Sequence, residues 1–141
     1  MNNLTKESIS KNDLDSMSSL VLAYLGDTVY ETYVRNHLIL EYPKKKVNEL
    51  NKMKVNFVKA KAQADIILNL LEELSEKEVQ IYKRGRNQKS ATVAKNADII
   101  DYRNATGFEA LIGYLYLDNN YDRLEYIMDK GMNIIQSQNL I

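Results

Sequence analysis

The stretch LAYLGDTVYE, Leu22 to Glu31, sets Asp27 in the middle of an otherwise apolar helical run, with Ala23 and Tyr24 one turn before it and Tyr30 and Glu31 one turn after. FEALIGYLYL, residues 108–117, repeats the arrangement around Glu109, whose neighbours at helical spacing are Ala105, Ile112 and Tyr116. A carboxylate buried on such a face without a partner is costly, so a chain that places two there must pair each with a cation or with hydrogen-bond donors. Small residues flank both acids: Ala23 and Gly26 in one stretch, Ala105, Gly107, Ala110 and Gly113 in the other. They let two helices approach closely and bring Asp27 and Glu109 together. Facing carboxylates repel unless something positive lies between them. With no Cys and a single His, a hard, oxygen-ligated ion such as Mg²⁺, with Mn²⁺ as a substitute, is the natural candidate. The other reading is that each acid caps a neighbouring helix or pairs with a cation such as Arg35 or Arg103.

The rest of the chain supports a helical setting for these two stretches. Of 141 residues, 45% are hydrophobic and 27% charged, enough apolar mass for one packed core and no room for a second domain. One Pro and five Gly among long runs of Ala, Leu, Ile, Lys and Glu favour an all-α fold. The absence of Cys excludes disulfides and thiolate chemistry and suits a cytoplasmic location. No stretch approaches the length of a membrane span, and the polar opening residues do not read as a secretory signal.

Net charge is zero, but it is unevenly spread. Residues 44–61 hold seven Lys against one Glu, and residues 83–95 hold five basic residues and no acid. Two basic segments in a neutral chain suggest a directed anionic partner, although any single Lys-rich run also reads as a solvated helix face.

Element by element, residues 1–15 read as a flexible lead-in and 16–141 as one domain. Asp15 or Ser16 is expected to cap a helix from about residue 17 to residue 40, whose stripe is Leu20, Ala23, Tyr24, Asp27, Tyr30 and Val34. Pro43 is expected to open a second helix, with room for a kink, that carries the Lys run and then the apolar positions Val47, Leu50, Phe57, Val58, Ile66, Ile67 and Leu70. Ser75 and Glu78 form a capping box for a third, ending near Gly85. Residues 86–95 read as a basic loop. Asn96 then caps a helical region reaching residue 117, with room for a break near 104–107, and Asp118, Asn119 and Asn120 make a turn before a last amphipathic helix.

Taken together in order, YLGDTVYE, KRGRNQKS (83–90), AKNAD (94–98) and YRNATGFEALIGYLYL (102–117) resemble the catalytic domain of the ribonuclease III family. They are most similar to its short Mini-ribonuclease III branch, which lacks the double-stranded-RNA-binding domain. The resemblance covers the chain from about residue 20 to residue 120. It implies a ribonuclease III catalytic-domain-like helical bundle and a magnesium-dependent endonuclease for double-stranded RNA, with Asp27 and Glu109 as catalytic metal ligands. Longer members carry two more inner carboxylates, at the positions of Ala23 and Thr106 here. Their loss favours one firmly bound Mg²⁺, a second ion arriving with the substrate phosphate. Ala94 also departs from the Pro expected there.

The same resemblance implies cleavage to a 5′-phosphate and a 3′-hydroxyl in maturation of precursor 23S ribosomal RNA. A homodimer formed through the first-motif helix would place two sites along one groove, and a large-subunit ribosomal protein would present the substrate. Lys83, Arg84, Arg86, Asn87 and Lys89, with Lys95 and Asn96, form the expected RNA-binding loop, since A-form RNA is met through phosphates and 2′-hydroxyls. Arg84 also reads as a helix C-terminal charge. Glu31 is expected to be structural, the other reading being that it orients a water next to the metal ligands; Asp98 and Asp101 read as helix-start charges, and His37 as a surface or dimer residue. The competing function is a scaffold of the same fold that binds RNA or the ribosome without cutting; a third reading is a helical module with no RNA role.

Overall fold

The computed structural model describes residues 7–88 and 98–139. Among them there is no strand. The elements are α1 (Lys11–Asp15), α2 (Ser19–Glu41), α3 (Val47–Val58), α4 (Ala60–Leu70), a 3-10 turn (Leu71–Glu73), α5 (Glu76–Arg86), α6 (Ile99–Leu117) and α7 (Tyr121–Gln138).

Helix α6 is the axis of the bundle, in contact with α2, α4, α5 and α7. Its residues Phe108, Ala110, Leu111, Ile112, Gly113, Tyr114 and Leu115 are all buried, so it is covered on every side rather than along one stripe. The Tyr30 ring of α2 meets the Phe108 ring edge-on, centroids 5.1 Å apart. α6 runs unbroken through residues 104–107, where the sequence leaves room for a break. Asn104 Oδ1 accepts from the Tyr82 hydroxyl at 2.6 Å, and packing against α5 outweighs the weak helix propensity of Asn, Thr and Gly. Its N-cap is Asp98, which accepts from the Ile100 and Asp101 amides, and not Asn96.

Helix α2 begins later than expected, at Ser19 with Ser18 as its cap. Asp15 ends α1, where its carboxylate accepts from the Tyr114 hydroxyl at 2.8 Å and pairs with Lys77 at 3.2 Å. The described part of the segment read as a lead-in is tied down as well: Leu14 is buried, and Lys11 reaches Asp118 at 3.1 Å. The buried face of α2 is Leu22, Ala23, Gly26, Val29, Tyr30, Val34 and Leu38. Leu20 and Tyr24, assigned to that face from sequence, point outward instead. With apolar residues on two sides of the helix, periodicity alone does not say which side is core.

Pro43 sits in a turn closed by Lys45 N–H on the Tyr42 carbonyl, and α3 starts at Val47. The kink considered for the second helix is a full break. Lys59 is extended (φ −62°, ψ 156°), ending α3 and starting α4. The break strips the last carbonyls of α3 of helical partners, and two side chains supply them. The buried Tyr30 hydroxyl donates to the Phe57 carbonyl at 3.0 Å, and Gln63 Nε2 to the Val58 carbonyl at 2.9 Å.

The capping box at Ser75 and Glu78 forms as expected, and Arg123 of α7 clamps the Glu78 carboxylate at 2.8 and 2.9 Å. α5 continues past Gly85 to Arg86 because Gly85 serves contact rather than termination: a Cβ there would stand 2.9 Å from the Gly107 Cα. At the far end of α6, Asn119 takes the left-handed conformation (φ 57°), and Asn120 N–H closes onto the Leu115 carbonyl before α7 begins.

Candidate active site

What brings the two acids together is a crossing of α2 over α6 with no side chains between. A Cβ on Gly26 would be driven into the Glu109 carbonyl and stand 2.8 Å from the Gly113 nitrogen; one on Gly113 would be driven into the Leu22 carbonyl. Asp27 is the residue after Gly26, and Glu109 is the residue whose carbonyl Gly26 touches. Of the small residues counted toward this approach, Gly26 and Gly113 make it. Gly107 instead lies against Tyr82 of α5, and Ala110 against Gly85.

The Glu109 carboxyl lies within hydrogen-bonding reach of the Asp27 carboxylate. Burial first, then the Asp27 oxygen and its charge, push the Glu109 carboxyl up to about 9, while the Gln63 amide pulls it the other way. Glu109 is half-buried, whereas Asp27 is exposed, a correction to its reading as a carboxylate within an apolar face. Among the described residues neither acid has an ion-pair partner. Arg35, offered as one, bonds to Glu31 at 2.7 Å, where Lys54 joins it at 3.7 Å; Arg103 is exposed and makes no described ion pair. Glu31 is thereby a salt-bridged structural acid. Ala23 is buried, and the Thr106 hydroxyl donates to the Tyr102 carbonyl, so neither adds an oxygen to the pair.

The donor set fits a hard divalent cation. Both groups are carboxylates, no cationic side chain neutralises them, and the Oε1 of Gln63, whose amide stands against Glu109, is buried with no hydrogen-bond partner among the described residues. No third Asp, Glu, His or Cys among the described residues joins them. A shallow groove of about 320 Å³ lined by Asp27, Thr28, Glu31, Thr32 and Arg35 runs from Asp27 along α2. A larger hollow, lined by Asn69, Tyr126 and Lys130, lies between α4 and α7 away from the carboxylates. A polymer substrate needs a surface rather than an enclosed cavity, so the small groove is the relevant one.

The basic residues divide. Lys83, Arg84 and Arg86 belong to the last turn of α5 and Asn87 is its C-cap, so they are not in a loop. Lys83 is exposed at the helix end, whereas Arg86 is half-buried, its guanidinium 5.5 Å over the Tyr82 ring and its Nε donating to Asn87 Oδ1 at 3.1 Å. Arg84 donates to the Asp15 carbonyl at 3.3 Å and is partly committed to holding α1. Lys89, Lys95 and Asn96 lie outside the described residues. The His37 ring packs on Tyr33 with centroids 4.6 Å apart. The Tyr30 and Tyr114 hydroxyls are tied down by the Phe57 carbonyl and the Asp15 carboxylate, whereas Tyr24 is 83% exposed. Gln63 went unnoticed in the sequence. Its signal is a lone polar residue in register with Ile66, Ile67 and Leu70 on the buried face of α4.

Comparison with known proteins gives the family and supports the fold. A ribonuclease III domain family model matches residues 20–120. The chain is 50% identical over 135 residues to Mini-ribonuclease 3 of Clostridium tetani, covering 94% of this chain and 89% of that one. It is 47% identical to Mini-ribonuclease 3 of Brevibacillus brevis, covering 96% and 99%. The crystal structure of a Fusobacterium nucleatum protein superposes with a TM-score of 0.77 at 31% identity, over 91% of this chain and 98% of that one. Fold and relatives define an RNA endonuclease, a hydrolase of the phosphodiester backbone. The chain belongs to the ribonuclease III family.

Proposed function

We propose that this chain cuts double-stranded RNA as a divalent-cation-dependent homodimer, with Asp27 and Glu109 holding Mg²⁺, or Mn²⁺ in its place. The observation that carries the reading is the carboxylate pair, set together by a glycine crossing and left without a cationic side chain. A bound cation supplies a water of lowered pKa and neutralises charge developing on the phosphate. Asp27, exposed at the groove, presents its oxygens toward the substrate side. Glu109, half-buried and raised toward the neutral form in the metal-free protein, would hold the cation as a carboxylate, its proton lost to solvent. Lys83 and Arg86 offer positive charge to the RNA backbone without reading bases.

The homodimer is supported by Leu20, Val21 and Tyr24, respectively 40, 53 and 83% exposed on the α2 helix that also carries Asp27. Two such sites along one groove would cut both strands. No helix among the described residues is long and apolar enough to cross a membrane. The similarity to Mini-ribonuclease 3 proteins favours a role in the cytoplasm on precursor 23S ribosomal RNA, with a large-subunit ribosomal protein presenting it.

The test is cleavage of a long RNA duplex in Mg²⁺ by the parent, Asp27→Asn and Glu109→Gln. The parent should cut with product ends of 5′-phosphate and 3′-hydroxyl. Each variant should bind duplex and fail to cut, because it loses a ligand charge at constant volume. Normal cutting by either variant would remove it from the site; a parent that binds duplex but never cuts would make the chain a scaffold.

A further inference from the structure

Gln63 is a polar side chain on an apolar helix face. It is 2% exposed, among the buried Ala62, Ala64, Ile66 and Ile67 of α4. Its Nε2 donates to the Val58 carbonyl at 2.9 Å, which fixes the amide's orientation, since the reversed amide would set two oxygens against each other. The amide also stands beside the Glu109 carboxyl, whose charged form it favours as a nearby donor does. Oε1 is left buried without a partner among the described residues. Such an atom is unfavourable, and an apolar side chain of equal length, such as Met, would fill the space without it. What the amide adds beyond its hold on Val58 is its contact with Glu109.

The geometry points to Gln63 as a positioning residue for Glu109: hung from the end of α3, its amide turns the carboxylate toward Asp27, so that the two acids present their oxygens to one divalent cation. The inference rests on the carboxylate pair being a cation site. Groups that hydrogen-bond metal ligands orient them and tune their affinity, and losing one weakens binding by roughly 10–100-fold. The break at Lys59 gains a role on this account. It frees the carbonyl that anchors the amide, and so ties the α3–α4 junction to the site.

The experiment is a calorimetric Mn²⁺ titration of the full chain without RNA, parent against Gln63→Met, with melting curves in chelator. The variant should bind Mn²⁺ about tenfold more weakly. Its half-saturating metal concentration for cleavage should rise by the same factor, with KM for duplex unchanged at saturating metal. A merely structural Gln63 would lower the melting temperature and leave Mn²⁺ affinity at the parent value, which overturns the inference. A second measurement needs no variant. The side-chain amide resonances of Gln63 in the ¹⁵N-labelled parent should shift on addition of Mg²⁺, and resonances unmoved at saturation overturn it as well. A parent that binds no Mn²⁺ defeats the cation site and this inference together; a parent that binds, beside a Gln63→Met variant that binds equally well, defeats only the role of Gln63.

Discussion

Gly26 and Gly113 meet backbone to backbone: a Cβ on Gly113 would stand 3.2 Å from the Gly26 nitrogen, and one on Gly26 would stand 2.8 Å from the Gly113 nitrogen. Nothing softer than main chain is available to move aside. Gly113→Ala should therefore cost at least the ~1–3 kcal/mol typical of overpacking. It should also separate Asp27 from Glu109, so that cation affinity falls even under conditions where the variant stays folded. Thermal melts paired with Mn²⁺ titration check this, and a variant that melts and binds as the parent does would show that the crossing is not what sets the pair.

The Glu109 carboxyl gives the metal-free protein a pH dependence whose sign follows from the direction of its shift. Its folded-state value of about 9 lies above the ordinary carboxylate value, so its contribution to stability is full below about pH 4 and is lost as pH rises toward 9. In chelator, Glu109→Gln should raise the melting temperature relative to the parent at about pH 8 and leave it unchanged at about pH 4. Added Mg²⁺ should then stabilise the parent and not the variant. Melting curves at the two pH values, with and without Mg²⁺, decide; equal melting at the higher pH would mean that burial does not tax this group.

Lys83 and Arg86 are presented at the end of α5 with no acidic partner among the described residues, whereas Arg84 is bonded to the Asp15 carbonyl. Replacing Lys83 and Arg86 by Ala should weaken duplex binding alike for all sequences and flatten its salt dependence by up to ~0.9 log-log units per lost phosphate contact, a figure borrowed from B-DNA. Single-turnover cleavage at saturating enzyme should survive. Arg84→Ala should differ by lowering stability as well, because it releases α1. A rate that saturating enzyme fails to restore would assign Lys83 or Arg86 to the transition state instead.

The outward face of α2 predicts the quaternary state. Tyr24→Arg with Val21→Arg should convert a dimer to a monomer in analytical ultracentrifugation without loss of helicity, since both side chains lie outside the core. Duplex cutting should drop to nicking or vanish. A variant that stays dimeric would move the interface off this helix.

The sequence shows the helices of this bundle best where one local signal acts alone, as at the Ser75–Glu78 capping box and the turn at 118–120. It misleads where tertiary contact overrules such a signal. Gly85 looks like a helix stop and is a contact point for Gly107; Asn104 to Gly107 looks like a break and is held straight by Tyr82. Asp27 and Glu109 are legible because a carboxylate in an apolar run is conspicuous. Which side of α2 is core is not, since Leu20 and Tyr24 repeat with the same period as Ala23 and Tyr30. Gln63 is visible only once Ile66, Ile67 and Leu70 are known to be buried, and its link to Glu109 spans two helices that no local pattern connects.

The extended residue at Lys59 also divides the molecule by cooperativity. α3 buries only Phe57, whereas α2, α4 and α6 each bury six or more residues. Elements with so little shared core open locally, at a free energy well below that of global unfolding. The amides in the first turns of α3 should thus exchange with solvent while those of α2 and α6 stay protected, and the exposed Lys52 can be replaced with little effect on the scaffold that holds Asp27 and Glu109. Charge on the opening turns of α3 can change without moving the carboxylates, because it is the last turn, through Phe57 and Val58, that Tyr30 and Gln63 bond to the rest of the bundle.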